Sequence, residues 1–240
     1  MLDNILIKLP SGKRLVWYLA AEEYFANHLT QHSMFFTWIV SPTVIFGRHQ
    51  VMLNEVNVPY CQSHGIAMYR RKSGGGCVYA DRGNLMVSYI SSSPHSEQVF
   101  QAYLDSMSAC LHGMGYDAVK STHNDILVGA HKVSGNACFA LPNATIVHGT
   151  LLYDVDFDVL QHAITPSQEK LAKHGVESVR QRVANLKGLA NGTVLLSTEA
   201  LARRVEEYWC DQSYVPTADD LREIDRIEQE YLDPLFIQSR

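Results

Sequence analysis

Residues 125–139 read D-I-L-V-G-A-H-K-V-S-G-N-A-C-F. Two β-prone runs, Asp125 to Val128 and Lys132 to Phe139, flank Gly129-Ala130-His131. A short glycine-containing break between two such runs is a hairpin signal. Thr145 to Leu152 supplies the next strand. Upstream, Ile66 to Arg70 and Leu85 to Ile90 are strands separated by a glycine-rich loop. Phe35 to Val40 and Val44 to Phe46 read as a strand pair bent apart by Ser41-Pro42, and Asn4 to Lys8 as an edge strand stopped by Pro10.

Helical spacing of Leu15, Tyr18, Leu19, Phe25 and Leu29 predicts a helix over 13–29. Val99, Tyr103, Met107, Leu111 and Met114 predict a second, ending at Gly113 and Gly115. Short helical pieces are expected from Phe157 to Lys173, and a helix from Thr198 to Trp209. The last helix starts at Thr217, with Asp220 as capping-box partner and Leu221, Ile224, Ile227 and Tyr231 as its apolar stripe. Strands arriving as hairpins predict an α+β fold, a mixed, mostly antiparallel sheet with flanking helices, rather than a βαβ repeat.

The 240 residues carry 20 Lys+Arg against 25 Asp+Glu, and 46% are hydrophobic. That composition belongs to a folded domain. Its mild acidity argues against a grip on nucleic-acid backbone. No apolar run reaches the ~18–20 residues that span a bilayer, and Met1-Leu2-Asp3-Asn4 does not open a signal peptide. Five widely spaced cysteines without C-x-x-C fit reduced thiols in a cytoplasm. His28 and His32 stand four apart but lack the glutamate and third ligand of a zinc helix. Residues 197–240 hold 5 basic and 11 acidic side chains, so this acidic segment differs from the nearly neutral body.

The densest chemical signal is R-R-K-S-G-G-G-C-V-Y-A-D-R-G-N at 70–84. Cations beside exposed glycine backbone make an anion site, while the same residues also read as a basic surface turn. It is neither a Walker loop nor a G-x-G-x-x-G turn. Lys132, just past the hairpin turn, is placed to aim an ammonium at a phosphate or developing oxyanion, or to lie solvated. His148-Gly149-Thr150 is uninformative alone. Gly47-Arg48-His49-Gln50 follows a strand and precedes a helical stretch, an anion-friendly position. Arg180 and Arg182 share one side of an extended segment.

In order, G-R-H-Q at 47–50, R-R-K-S-G-G-G-C-V-Y at 70–79, D-R-G-N at 81–84, N-D-I at 124–126, H-K-V-S-G-N-A at 131–137, H-G-T-L-L at 148–152 and S-V-R-Q-R-V-A-N-L at 178–186 resemble the lipoate–protein ligase family. The resemblance runs from about Trp17 to Leu186 and implies a fold related to biotin–protein ligases and the class II aminoacyl-tRNA synthetase core. It implies lipoate activation by ATP and Mg²⁺ to lipoyl-adenylate, then transfer to a lysine of an acceptor domain, either a 2-oxoacid dehydrogenase E2 subunit or the glycine-cleavage H protein. Lys132 would be the catalytic cation on the α-phosphate and acyl carbonyl. Arg70 and the backbone of Gly74, Gly75 and Gly76 would line the acyl and phosphate cleft. Asn124 and Asp125 would hold the nucleotide, with Asp125 the residue for Mg²⁺, and His148 would border the acyl tunnel. Ser73, Val78, Asn84, Ser134, Gly135, Ala137 and Gly149 complete the implied binding set.

Ala80 stands where many family members have histidine. The family pattern also implies 1–196 as the catalytic domain and 197–240 as a helical segment packed on it, with the accessory C-terminal domain absent and a separate accessory-domain protein as a partner. Three alternatives stay open. One is transfer of preformed lipoyl-adenylate. Another is octanoyl transfer from acyl carrier protein, for which Cys77 and Cys138 are the thiols nearest the motifs. The third is non-catalytic lipoate binding. Nucleic acid and membrane are not expected partners.

Overall fold

The computed structural model describes residues 4–28, 32–164, 183–189 and 197–238. The strands are β1 (Asn4–Ile7), β2 (Ser33–Trp38), β3 (Thr43–Phe46), β4 (Ala67–Arg70), β5 (Val78–Ala80), β6 (Asn84–Ser91), β7 (Ala118–Lys120), β8 (Asp125–Val128), β9 (His131–Leu141), β10 (Ala144–Leu152) and β11 (Gln212–Tyr214). The helices are α1 (Leu15–Asn27), α2 (Met52–Glu55), α3 (Val58–Ser63), α4 (Ser96–Gly113), α5 (Phe157–Ala163), α6 (Thr198–Trp209), α7 (Ala218–Leu232) and α8 (Pro234–Gln238).

Eight strands form the main sheet in the order β11-β1-β2-β6-β10-β9-β8-β7, and β4-β3-β5 form a small one. Pairing is parallel where β1 meets β11 and β2, and antiparallel across the rest of the main sheet. The fold is therefore α+β and mostly antiparallel, and β8 and β9 form the expected hairpin.

Side-chain alternation sorts the sheet into two faces. Trp38, Met86, Ile90 and Ile146 point to the face covered by α1 and α7, and Phe35, Val87, Val133, Val147 and Leu151 to the face covered by α4 and α6. On that second face Trp209 of α6 stacks on Phe35 with ring centroids 4.9 Å apart.

The spacing in α1 suggests one apolar stripe, but every residue from Leu15 to Glu22 is buried. A helix that is apolar nearly all round belongs between two layers, and α1 lies between the sheet and α7. The ion pair from Arg14 to the buried Glu228 at 2.9 Å and the bond from Trp17 Nε1 to Asp225 at 2.6 Å join the two helices.

Phe35 to Val40 and Val44 to Phe46 do not pair with one another. β2 lies between β1 and β6, whereas β3 lies between β4 and β5. The Ser41-Pro42 corner sends the chain into a second sheet, and an apolar run buried on both faces does not reveal which sheet it joins. β5, β7 and β11 are three residues each, too short for a periodic signal. Of the helical pieces expected between Phe157 and Lys173, α5 is observed and the remainder lies outside the described residues.

At the start of α7, Thr217 and Asp220 form the expected capping box. Burial pushes the Asp220 carboxyl up, but bonds from Tyr24, Tyr214 and Thr217 outweigh it and bring the pKa down to about 2. A depressed carboxylate stabilises the fold above its unfolded pKa, here 3.8, and that contribution is lost as pH falls toward 2. Thr217→Ala should cost about 1 kcal/mol by urea unfolding at pH 7, the usual worth of a cap. Asp220→Asn should flatten the loss of stability between pH 4 and pH 2.

Candidate functional site

The glycine loop between β4 and β5 is built by its own arginine. Arg71 is buried, and its guanidinium donates to the carbonyls of Gly74 at 2.8 Å, Gly76 at 2.6 Å and Ile45 at 3.3 Å. Desolvation brings its pKa down to about 10. In a trans peptide the carbonyl and the following N–H point to opposite sides. With the Gly74 and Gly76 carbonyls drawn onto Arg71, the N–H groups of Gly75 and Cys77 turn away from the guanidinium. Gly75 has φ +93°. A Cβ there would lie 2.8 Å from Arg71 Nη2 and 3.9 Å from Ala137 Cβ, so the loop passes directly over β9. Gly47 fits because a side chain would strike the Gly75 carbonyl.

The hairpin brings Lys132 to the same side. Asp125 pairs with Gly135 and Ile126 with Ser134, but Leu127 pairs with Lys132, leaving Val133 as the extra residue of a bulge. Asp125 and Leu127 lie two apart on one strand and share a face, so their partners Gly135 and Lys132 share it too. Lys132 Nζ lies 2.7 Å from Asp125 Oδ1, and a Cβ on Gly135 would meet that ammonium at 2.9 Å. Ala137 is next on this face, with His148 opposite it on β10. Thr150 Oγ1 accepts from the N–H of Gly135 at 3.2 Å. Val183 forms a parallel bridge with Lys132, and Ala184 donates its N–H to the Lys132 carbonyl at 3.0 Å.

A polar chain crosses the same face under the loop. Ser73 Oγ lies 2.9 Å from His148 Nε2, and His148 Nδ1 lies 3.1 Å from Glu22 Oε2. Ser88 donates to Glu22 Oε1 at 2.6 Å and accepts from Trp38 Nε1 at 2.9 Å. Val78 packs against the apolar cluster beside this chain. Two surface clefts of about 390 and 500 Å³ lie elsewhere, one beside Leu141-Pro142-Asn143, the other between the start of α1 and α7.

Lys132, Asp125, Gly135, Ala137, His148, Ser73, Gly75 and Val78 are thus gathered on one side of the sheet. Other expected site residues are turned elsewhere. Arg70 is buried behind the loop, donating to the carbonyls of Arg48 and Gln50, each at 2.8 Å, and of Phe236 at 3.0 Å. Lys72 bonds Glu23 and Glu230, each at 2.8 Å. The arginine–arginine–lysine run therefore builds the loop and its helix contacts instead of offering three cations to a ligand. Buried guanidinium groups take the nearest backbone carbonyls.

Asn124 gives its amide to the Asn136 carbonyl at 2.7 Å. Ser134 and Asn136 point to the opposite face, where their side chains bond each other and Asn136 fills the space a side chain on Gly149 would need. Asn84 is fully buried at the start of β6, its amide 3.4 Å from the Tyr79 carbonyl. Asp125 pairs with the Lys132 ammonium in the ligand-free chain, and no group of three His, Cys, Asp or Glu that could hold an ion by itself is found among the described residues. Cys138 lies on the α4 face, its thiol 3.9 Å from the Ser96 carbonyl and raised in pKa by burial, so it is not near Lys132. Arg180 and Arg182 lie outside the described residues.

Sequence reasoning passed over Arg71 and Glu22. Neighbouring arginines leave open which one faces the loop. Glu22 carries a usable sign, the first of two adjacent acids inside an otherwise largely apolar helical run.

The sequence and the fold have known counterparts. Lipoate–protein ligase 1 of Staphylococcus aureus is 37% identical over 200 residues, covering 79% of this chain and 61% of that protein. The chain thus spans about three fifths of that relative's length. Among solved structures, a bipartite lipoate protein ligase from Thermoplasma acidophilum superposes with a TM-score of 0.85 at 23% identity, covering 99% of this chain and 97% of that one. Lipoate-protein ligase A bound with ATP gives 0.82 at 23% identity, covering 98% of each. At those identities the structures speak to the fold. The model of the lipoyl protein ligase A/B catalytic domain matches residues 16–209, and with the bacterial relative it establishes that the chain belongs to that family.

Proposed function

We propose that the chain carries the catalytic centre of a lipoate–protein ligase. The observation that carries this reading is the shared face: the bulge at Val133 turns Lys132 toward the side of the sheet over which Gly75 lies. One mobile cation beside oriented peptide N–H groups suits chemistry in which negative charge moves between phosphate and carbonyl oxygens.

In the first step a lipoate carboxylate oxygen attacks the α-phosphorus of ATP and pyrophosphate leaves. The Gly75 and Cys77 N–H groups receive phosphate oxygens, and Lys132 exchanges Asp125 for the reacting anion. In the second step the neutral ε-amine of an acceptor lysine attacks the acyl carbonyl, the C–O bond to the phosphate breaks, AMP leaves and the amine's surplus proton passes to water. Lys132 then neutralises the departing phosphate. Glu22 and Ser73 orient His148, which lines the acyl side. No protein nucleophile is needed, and Cys138 faces away. Mg²⁺ would ride on the nucleotide phosphates, as such ions commonly do, with Asp125 the carboxylate that would face it once Lys132 has moved to the anion.

The acceptor is a lipoyl domain. The Thermoplasma ligase was studied with its E2 lipoyl domain, which supports that class of partner. Residues 1–196 are read as the catalytic body and 197–240 as a helical segment on it. Packing of α6 and α7 against the two sheet faces supports this. Five cysteines with no disulfide among them suit a cytoplasmic location. No helix among the described residues is long and apolar enough to cross a membrane.

Mass spectrometry of an E2 lipoyl domain should show modification after incubation with lipoate, ATP and Mg²⁺, and also with lipoyl-adenylate. Modification with the adenylate alone would restrict the chain to transfer, and ligand binding without modification would leave a binding protein. Lys132→Ala should lower turnover by roughly 10²–10³-fold, the usual worth of one such charge-stabilising group. Full activity of that variant in both assays would remove Lys132 from the mechanism. Gly75→Ala, which forces a side chain into positive φ against Arg71, should weaken nucleotide binding by isothermal titration at a stability cost of about 1–2 kcal/mol.

A further inference from the structure

Arg70 joins two segments far apart in sequence. Its Nε donates to the carbonyls of Phe236 at 3.0 Å and Ile237 at 3.2 Å, in the last turn of α8. Its Nη1 donates to the carbonyls of Gly47, Arg48 and Gln50, at 3.2, 2.8 and 2.8 Å. The guanidinium also lies 4.7 Å from the Phe46 ring. Helix ends leave carbonyls without intrahelical partners, and here a side chain that also holds the 47–50 turn supplies the donors.

That turn supports the glycine loop directly. Arg48 donates its N–H to the Ser73 carbonyl at 3.0 Å, and Gly47 packs against the Gly75 carbonyl. Direct contacts therefore run from α8 through Arg70 and the 47–50 turn to residues 73–75. α8 has five residues, none buried; Phe236 rests edge-on against Tyr231 with centroids 5.9 Å apart, and Ile237 packs on the cluster that holds Val44 and Phe46.

We infer that Arg70 is a positioning residue and α8 a clasp: seating of the helix on Arg70 sets the glycine loop, and lifting it loosens the loop. The functional consequence rests on the ligase reading, in which that loop holds phosphate. The mechanical link does not depend on it. Coupling of this kind is reciprocal, so a ligand that orders the loop tightens α8.

Hydrogen exchange of the ligand-free chain separates this from a merely structural arginine. Phe236→Ala, which removes the ring that seats α8 against Tyr231, should speed exchange of amides 47–50 and 73–77 at least tenfold and leave α4 unchanged. Arg70→Lys keeps the charge but cannot reach both carbonyl sets, and should do the same. If Arg70→Lys does not fold, Phe236→Ala decides alone. Loop amides that exchange as in the parent, or that accelerate only in step with α4, would overturn the clasp. With ATP added to the parent, amides 235–238 should slow. ATP that slows 73–77 but not 235–238 would also overturn it. ATP that protects neither segment would sink the ligase reading instead, leaving the clasp to be judged on the ligand-free exchange.

Discussion

A single extra residue in β9 decides which side of the main sheet carries a mobile positive charge. In an antiparallel ladder a slip of one residue sends every side chain to the other face. Without the bulge, Lys132 would share the face of Ser134 and Asn136, beneath α4 and Tyr103. With it, Lys132 stands beside Asp125 and Gly135 on the face that the glycine loop covers. Gly135 leaves room for the ammonium to lie across the strand, and Ala137 leaves room for Gly75 to pass above it.

Around that arrangement, most of the positive charge concentrated in the motif is structural. Arg71 draws loop carbonyls inward, Arg70 ties a turn to a helix end, and Lys72 bridges two carboxylates across α1 and α7. Each satisfies buried or half-buried polar groups that would otherwise be costly to leave unpaired. The outcome is a cradle whose peptide N–H groups, rather than its arginines, are turned outward. Lys132 is only partly buried and sits on one exchangeable carboxylate, a state from which it can move to a stronger anion. The buried line from Trp38 through Ser88 and Glu22 to His148 and Ser73 fixes the neighbouring ground on the same face.

Much of this was legible in the chain. The Gly129 turn between β-prone runs announced the hairpin, and Thr217 with Asp220 announced the last long helix. Ordered motifs pointed to the family before any geometry. Strand pairing was less legible, because β2 and β3 are apolar on both faces and the parallel neighbours of β1 are remote in sequence. Roles within motifs were least legible. Arg70 and Arg71 are identical in type and adjacent, yet one builds the loop and the other anchors the C-terminal helix. Asn124, Ser134 and Gly149, from the same motifs, make contacts within the sheet from behind. The face-switch at Val133 leaves no mark in composition at all.

The most direct test is a crystal structure of the chain with a non-hydrolysable lipoyl-adenylate analogue. The account predicts the analogue's phosphate within hydrogen-bond reach, about 3 Å, of both Lys132 Nζ and the Gly75 N–H, with Lys132 drawn off Asp125. A phosphate bound on the opposite side of the sheet, or one touching the glycine loop while Lys132 stays on Asp125, would contradict it.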